Sequence, residues 1–232
     1  MKSFKKVVLG FGLVSVVVLQ GVGAGELKEC GSDEDRETGC VEIGYFSNGD
    51  TEFETPYKNG RIEGIAKEYY ESGKLYKETP YKNGWIEGVA KEYYENGKLK
   101  AEASYGGSIV SKKTYYENGT ILLAEEVYKL YKNHDGGYDS NRMSAKYYHK
   151  NGKLKEEADF DEGPRSGDRK FYTNDGKLLG TARYNRNDLQ FVKCAEKKLS
   201  NDEAESLSYS LNHEYEYREY EDAYPLFEKY CK

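Results

Sequence analysis

Residues 57–80 have the sequence YKNGRIEGIAKEYYESGKLYKETP, and residues 81–104 repeat it with few changes as YKNGWIEGVAKEYYENGKLKAEAS. A fixed period of 24 residues indicates one supersecondary unit that is stacked on copies of itself. The repeat therefore predicts how the fold grows along the chain before it says anything about function. The glycines that recur at this spacing are Gly60, Gly64 and Gly73 in the first copy and Gly84, Gly88 and Gly97 in the second.

Each repeat is predicted to be a β-hairpin. Segments 64–70 and 74–80 have the composition of two strands, and short Gly-containing turns follow at 71–73 and, in the next copy, at 95–97. The Asn-Gly pair favours a type I′ turn, because both central residues of that turn need a positive φ. The Lys-Asn-Gly segments at 58–60 and 82–84 are expected to lead from one hairpin into the next.

Weaker copies of the unit extend the array from residue 41 to residue 184. One interval between turn glycines is longer than the period, and we assign the surplus to a loop-like insertion at 133–141. Insertions in repeat arrays often project from the binding face, whereas the alternative interpretation is an ordinary surface loop. The candidate binding residues of this insertion are His134, Asp135, Tyr138 and Asp139.

The first 24 residues have the pattern of a secretory signal peptide. Lys2, Lys5 and Lys6 precede an apolar run at 7–19, and small residues lead to a cleavage site after Ala24. The apolar run is too short for an ordinary membrane span. We therefore expect a bacterial periplasmic or secreted protein whose signal peptide is cleaved near Ala24, with an uncleaved anchor as the alternative.

Four cysteines flank the array, and in an exported chain we expect them to form disulfides. Cys30 and Cys40 lie before the repeats, and Cys194 and Cys231 lie after them. Four cysteines allow three pairings, and the repeats hold the two ends of the array apart. We therefore predict the disulfides Cys30–Cys40 and Cys194–Cys231, which suit an oxidising compartment better than a zinc site would.

The repeat pattern ends after residue 184, where helical signals begin. Ser200 to Glu203 has the form of a capping box, and Leu207 and Leu211 follow at helical spacing. The predicted fold class is mostly β, an extended twisted antiparallel sheet of repeated β-hairpins with a short α-helical C-terminal cap. The predicted domains are a signal peptide at 1–24, a disulfide-closed segment at 25–40, the array at 41–184 and the helical cap at 185–232.

Paired tyrosines recur in the strands, as Tyr69-Tyr70, Tyr93-Tyr94 and Tyr115-Tyr116. Neighbouring side chains of a strand point to opposite faces of the sheet, so the pairs form two rows. One row is predicted to pack between hairpins, and the other to offer an aromatic strip to a glycan or a peptide. The alternative is that both rows only stabilise the sheet. The candidate binding residues of this strip are Tyr69, Tyr93, Tyr115 and Tyr147.

Catalytic and cofactor-binding motifs are missing from the sequence. The glycines mark turns rather than a phosphate loop, there is no Gly-x-Ser-x-Gly elbow, and the histidines share no spacing. The formal net charge is −6, and it becomes −9 once the three lysines of the signal peptide are removed. Acidic and basic residues are interspersed without the basic stripe that nucleic acids require. We expect no enzymatic activity, no cofactor, no metal and no nucleic-acid partner.

The unit EYYENGKL at 92–99, with GVAK before it and YKNG segments elsewhere in the array, resembles the bacterial variant of the MORN repeat. The resemblance covers about residues 41–184 and implies an extended, twisted antiparallel sheet built hairpin by hairpin. Bacterial proteins of this kind are often labelled YwqK-type antitoxins. An exported chain departs from a cytoplasmic antitoxin and is more consistent with an immunity protein that acts in the envelope.

The sequence thus predicts an exported, non-enzymatic repeat protein that binds another protein as a scaffold or as an antitoxin-like immunity factor. The alternative is a module that binds cell-wall glycan or lipid headgroups through its aromatic face. A third possibility is a purely structural sheet that extends edge to edge into an envelope assembly. Contact with the membrane is expected only through the signal segment, if that segment remains uncleaved.

Overall fold

The computed structural model describes residues 27–134, 137–160, 166–185, 188–213 and 223–232. The predicted signal peptide lies outside these residues. The helices are α1 (Asp33–Thr38), α2 (Asn201–His213) and α3 (Tyr224–Cys231). The strands are β1 (Cys40–Tyr45), β2 (Thr51–Lys58), β3 (Arg61–Ile62), β4 (Gly64–Tyr69), β5 (Leu75–Lys82), β6 (Trp85–Ile86), β7 (Gly88–Tyr93), β8 (Leu99–Gly106), β9 (Ile109–Tyr115), β10 (Leu122–Lys132), β11 (Tyr138–Tyr148), β12 (Leu154–Asp159), β13 (Gly167–Tyr172), β14 (Leu178–Asn185) and β15 (Asp188–Cys194).

These strands form one antiparallel sheet whose strand order follows the chain. The path runs from β1 through β2, β4, β5 and β7 to β15, while the short strands β3 and β6 pair with β2 and β5. Each strand therefore pairs with its neighbours in sequence, as expected when a hairpin is repeated. The predicted fold class, an antiparallel sheet of repeated hairpins followed by helices, is confirmed.

The turns between the strands are of two kinds. In the Asn59-Gly60 and Asn83-Gly84 turns both residues have positive φ, as a type I′ turn requires. At 95–97 only Gly97 has a positive φ, and its N–H donates to the Tyr94 carbonyl over 2.8 Å. This is the pattern of a three-residue loop, in which a type I turn is followed by a left-handed glycine. The type I′ prediction for Asn96-Gly97 was therefore wrong, because the extra loop residue leaves only the glycine with positive φ.

Residues 138–141 of the predicted insertion belong to strand β11, so a long hairpin takes up part of the segment assigned to a loop. Strands β10 and β11 each have 11 residues, and they pair as far as Lys132 with Tyr138. The tip is closed by the Asn133 N–H, which donates to the Gly137 carbonyl over 3.0 Å. The predicted loop was therefore too long at its C-terminal end, because residues 138–141 pair their backbone groups with β10.

The two faces of the sheet carry different side chains. On one face, which we call the alanine face, register aligns a row of small residues across successive hairpins. The opposite face carries a row of alternating charges, described below, and we call it the ladder face. The small residues of this row are Ala66, Thr79, Ala90, Ala103, Ala145, Ala158 and Ala182, and the charged residues Lys112, Glu126 and Arg169 occupy the row on β9, β10 and β13.

The main hydrophobic core lies at the C-terminal end, where α2 and α3 cover the alanine face. Phe227 of α3 stacks on Phe171 of β13 with ring centroids 4.1 Å apart, and both side chains are fully buried. Leu207 and Leu211 of α2 complete this core. The predicted capping box is present at the start of α2, because the Glu203 carboxylate accepts the Ser200 N–H over 2.9 Å.

The sheet extends one strand beyond residue 184, where the sequence analysis ended the array. Strand β15 pairs with β14, with Gly180 opposite Cys194. Its Leu189 and Val192 pack against the helical core. The segment assigned to the cap at 185–232 therefore begins with a strand, which the repeat pattern could not reveal because β15 carries none of the repeated glycines.

The disulfides hold a covering segment on each end of the sheet. Cys30 and Cys40 are paired with a Cα–Cα distance of 5.1 Å, and Cys194 and Cys231 with 5.2 Å, as predicted. The Cys30 N–H also donates to the Val41 carbonyl over 2.9 Å, so the segment before β1 covers part of that edge. Covering an edge strand prevents it from pairing with another chain. Of the helices described, none is long and apolar enough to cross a membrane.

Candidate functional site

Alternating carboxylates and ammonium groups cross the ladder face from strand to strand. Each lysine of this row except the last lies directly opposite a glutamate on the strand on either side of it, while Lys170 faces Glu157 on one side only. Opposite charges in such cross-strand positions stabilise a sheet. We call this row the Glu–Lys ladder. Its members, in spatial order, are Glu54, Lys67, Glu78, Lys91, Glu102, Lys113, Glu125, Lys146, Glu157 and Lys170.

Reversing one charge of the ladder is expected to destabilise the sheet. Lys91 lies between Glu78 and Glu102, and its Nζ is 3.4 Å from the Glu78 carboxylate. The substitution Lys91→Glu places three carboxylates in succession and should lower the free energy of unfolding by about 1–2 kcal/mol, measured by urea denaturation. Added salt should reduce the loss. The control Lys150→Glu changes an exposed turn outside the ladder, and an equal loss there would contradict the role of register.

The first tyrosine of each pair donates a hydrogen bond to a ladder glutamate. Tyr69, Tyr93 and Tyr115 are three of the residues predicted for an aromatic strip, and each lies on the ladder face in this way. Their hydroxyls are thus engaged within the sheet while the rings remain half-exposed. The bonds of the row are Tyr69 to Glu54 (2.9 Å), Tyr93 to Glu78 (2.9 Å), Tyr115 to Glu102 (2.8 Å), Tyr148 to Glu125 (2.6 Å) and Tyr172 to Glu157 (2.7 Å).

These contacts raise the pKa values of the tyrosines. Partial burial, followed by the hydrogen bond to a negative carboxylate, raises the pKa of Tyr93, Tyr115 and Tyr172 from 10.0 to about 12. The same two causes raise the pKa of Tyr69 and Tyr148. Each phenol therefore holds its proton more tightly in the folded protein than in the unfolded chain.

Alkaline pH is therefore expected to destabilise the fold. Below pH 10 these phenols are protonated in both the folded and the unfolded state, so their contribution to stability is fully present. Between about pH 10 and pH 12 the unfolded chain releases protons that the folded state retains, and stability falls. Thermal melts over this interval should show a decreasing Tm, with phenolate absorbance rising together with unfolding. Phenolate formation in a protein that stays folded near pH 10 would contradict the role of the ladder.

The second tyrosine of each pair joins one repeat to the next. Tyr70 donates its hydroxyl to the carbonyl of Tyr93 over 2.7 Å, and Tyr94 donates to the carbonyl of Tyr115 over 2.7 Å. At the equivalent position of a later repeat stands His149, which is buried and has its Nε2 3.0 Å from the Tyr172 carbonyl. The second row therefore links each hairpin to the backbone of the next one.

Tyr147 does not belong to the first row, contrary to the sequence prediction. Counted back from the turn glycine, the residue equivalent to Tyr69 is Tyr148, and Tyr147 points to the alanine face. There the Tyr147 hydroxyl accepts a hydrogen bond from Arg142 Nη1 over 2.7 Å, and Arg142 Nη2 lies 3.2 Å from the Glu126 carboxylate. Burial raises the Tyr147 pKa. The prediction failed because three aromatic residues in a row, at 147–149, conceal which two form the pair.

At the tip of the long hairpin, one of the predicted binding residues contacts an aromatic residue that was not among the predicted ones. The ring of Tyr138 packs edge-on against Trp85, with centroids 5.8 Å apart, although more than 50 residues separate them in sequence. Trp85 is 61% exposed and Tyr138 is 48% exposed. Strand β10 extends past its pairing with β9 and contacts the turn after β8, where the Leu130 N–H donates to the Ser108 carbonyl over 2.7 Å.

The other predicted residues of the insertion do not converge on a site. His134 is exposed at the tip, and Asp139 accepts a long 3.4 Å hydrogen bond from the Asn133 side chain. Asp135 lies outside the described residues. Within the part of the chain that the structure describes, no cluster of His, Cys, Asp or Glu could hold a metal ion.

A groove of about 420 Å³ opens on the alanine face near the N-terminal end. The aromatic walls include Phe53, Tyr76 and Tyr81, and the floor is formed by the small residues Ala66 and Thr79. Glu52 and Glu68 also line it. The sequence carries no motif for this groove, because its residues come from four strands.

The fold and these surfaces define a β-hairpin repeat protein whose contacts recur with the sequence period. In agreement with this class, the family model of the MORN repeat variant matches residues 62–83, 86–105 and 143–162. No curated protein matches the chain significantly.

Besides the groove, the sequence did not predict the Glu–Lys ladder or the contact between Trp85 and Tyr138, although the ladder had a signal. The glutamates of the ladder recur with the repeat, as Glu54, Glu78 and Glu102 at intervals of 24 residues, so their role could have been inferred from position. The contact between Trp85 and Tyr138 carried no such signal, because the two residues belong to strands that are far apart in the strand order.

Proposed function

We propose that this protein is an exported, non-enzymatic repeat protein that binds another protein, as an immunity-like or scaffold factor. The observation that carries the proposal is the Trp85–Tyr138 pair. Trp85 is the single tryptophan of the chain, and tryptophan is on average a highly buried residue. Here it is 61% exposed and stands beside a second half-exposed ring.

The surroundings of the pair suit a protein interface. Ile65 and Val89, on the nearby strands β4 and β7, are each 42% exposed. A charged pair lies beside Trp85, since Lys82 is its partner on β5 and the Lys82 Nζ is 3.3 Å from Glu87. Aromatic anchors surrounded by a polar rim are typical of binding hot spots. The two disulfides support export, because such bonds persist in oxidising compartments.

The charged ladder supports a non-enzymatic role. Each of its glutamates has lysine neighbours and a tyrosine donor in repeated, equivalent positions, whereas an acid–base pair needs two carboxylates in different environments. Glycan binding by the first tyrosine row, or by the groove, is the competing function, and the experiment below separates it from protein binding.

The test is a crosslinked pull-down with tagged protein from the envelope of the native host. One dominant protein should be recovered with the wild type, and its yield should fall by more than about tenfold with the double variant Trp85→Ala/Tyr138→Ser. The matched control is Tyr45→Ser, which removes a 52%-exposed ring elsewhere on the sheet and should leave the yield unchanged. Recovery of cell-wall fragments alone, or equal yields from all three proteins, would contradict the proposal.

A further inference from the structure

Cations on the alanine face are held in cages of aromatic rings and carboxylates. The Arg142 guanidinium lies 5.8 Å from the Tyr128 ring centroid and 5.6 Å from that of Phe160, and it pairs with Glu126 at 3.2 Å. Rings within about 6 Å of a cation attract it through their quadrupoles. The carboxylate adds a charge-assisted hydrogen bond.

The arrangement occurs again toward both ends of the sheet. Arg169 lies 5.3 Å from the Phe171 ring centroid, and its Nε donates to Glu156 over 2.7 Å. At the N-terminal end Arg36 lies 5.1 Å from the ring of Tyr57, with Nη2 3.1 Å from Glu42. Each cage thus combines one guanidinium, at least one ring and one carboxylate.

The groove on the same face has the walls of such a cage. It offers the rings of Phe53, Tyr76 and Tyr81 and the carboxylates of Glu52 and Glu68. Among the described residues that line it, none is an arginine. The backbone of Lys67 also borders the groove, but the register directs its side chain into the ladder between Glu54 and Glu78.

The charges around the groove favour a positive ligand. Glu52 is exposed, and Glu68 has only a half-exposed partner, Lys77, at 3.2 Å. Exposed ion pairs of this kind are weak and exchange readily. One wall already attracts a cation of the chain itself, since Lys100 Nζ stands 5.8 Å from the Tyr76 ring centroid. The charge of −9 left without the first 24 residues would also concentrate cations near the surface.

We infer that the groove binds an arginine side chain presented by a partner protein. The guanidinium would stack on the aromatic walls and donate hydrogen bonds to Glu52 and Glu68, as Arg142 and Arg169 do within the chain. The small floor residues Ala66 and Thr79 leave the depth that the planar group needs. The inference rests on the proposed function for the identity of the partner, but the chemistry of the groove can be tested without one.

The first experiment titrates the protein with N-acetyl-arginine amide and follows backbone amide NMR shifts. Saturable shifts are expected at Ala66 and Thr79. N-acetyl-citrulline amide has the same shape with a neutral urea group and should bind about tenfold more weakly. The double variant Glu52→Gln/Glu68→Gln should weaken arginine binding by a similar factor. The matched control Glu71→Gln/Glu95→Gln changes exposed turn carboxylates and should bind as the wild type does.

Equal binding of arginine and citrulline would overturn the inference, as would unchanged binding by the Glu52→Gln/Glu68→Gln variant. Shifts spread over the whole acidic surface would overturn it too, because they would report charge alone. Thermal melts of both double variants establish that the fold is retained before the titrations are compared.

The second experiment repeats the envelope pull-down with the groove variant. The yield of the partner should fall with Glu52→Gln/Glu68→Gln, while Trp85→Ala/Tyr138→Ser should leave the NMR affinity for the arginine probe unchanged. Arginine binding by the groove together with an unchanged partner yield would overturn the assignment to a partner's side chain and indicate a small cationic ligand. Failure of the proposed function alone would leave the NMR result intact, so the two failures are distinguishable.

Discussion

Replacing Phe227 with alanine is expected to lower the free energy of unfolding by about 3–5 kcal/mol. The Phe227 side chain is fully buried and stacks on Phe171, so its removal leaves a cavity between α3 and the sheet. The neighbouring backbone has little freedom to fill that cavity, because the disulfide from Cys231 to Cys194 holds the helix in place. Denaturant unfolding followed by circular dichroism measures the loss.

Phe191→Ala is the matched control for this prediction. Phe191 lies on β15 in the same part of the molecule but is 46% exposed, so its loss should cost under about 1 kcal/mol. Similar losses for both variants would show that the helices do not depend on the stacked pair. A cap that is separately stable would instead give two unfolding transitions, which would contradict a shared core.

Replacing Gly167 with alanine should be comparably severe, with an expected loss of more than about 3 kcal/mol. Gly167 has a φ of +121°, a region that residues with a side chain rarely adopt. A Cβ at this position would also overlap the backbone carbonyl of Asp159, and backbone cannot move aside as a flexible side chain can. The substitution therefore combines strain with a clash at the start of β13, and thermal unfolding should report it.

Gly152→Ala separates the two causes. Gly152 has a φ of +81°, but no atom lies within 4 Å of the position where its Cβ would be placed. Only the conformational strain remains there, and we expect a loss of about 1 kcal/mol. If both variants melt at the same temperature, the close approach of Asp159 contributes nothing to the effect of Gly167→Ala.

The architecture could be predicted from the sequence because it depends on local signals that the period repeats. Strand pairing between neighbours follows from short turns, and the capping box at Ser200 and Glu203 satisfies backbone groups within one helical turn. The pairing of the cysteines followed from the separation of the two ends of the array. The strand pairing and the capping box needed only residues that lie near one another in the chain.

The candidate sites depend on distances that the sequence does not encode locally. Tyr138 of β11 contacts Trp85 of β6 although several strands lie between them in the sheet, and the twist of a sheet accumulates over such a distance. The assignment of Tyr147 failed for a simpler reason, since a shift of one residue in a strand moves a side chain to the other face. The groove is likewise assembled from four strands, none of which carries a binding motif.

The Glu–Lys ladder has a consequence for how the length of this protein can change. Charge alternates strand by strand, and each full repeat adds two strands, so gaining or losing a whole repeat always leaves opposite charges adjacent. Deletion of residues 57–80, for example, would join Pro56 to Tyr81, which opens the next copy as Tyr57 opened the first. Glu54 would then face Lys91 where it now faces Lys67. Duplication of a copy, or recombination between copies, can therefore change the number of hairpins without placing like charges on adjacent strands. Loss of a single strand would bring like charges together.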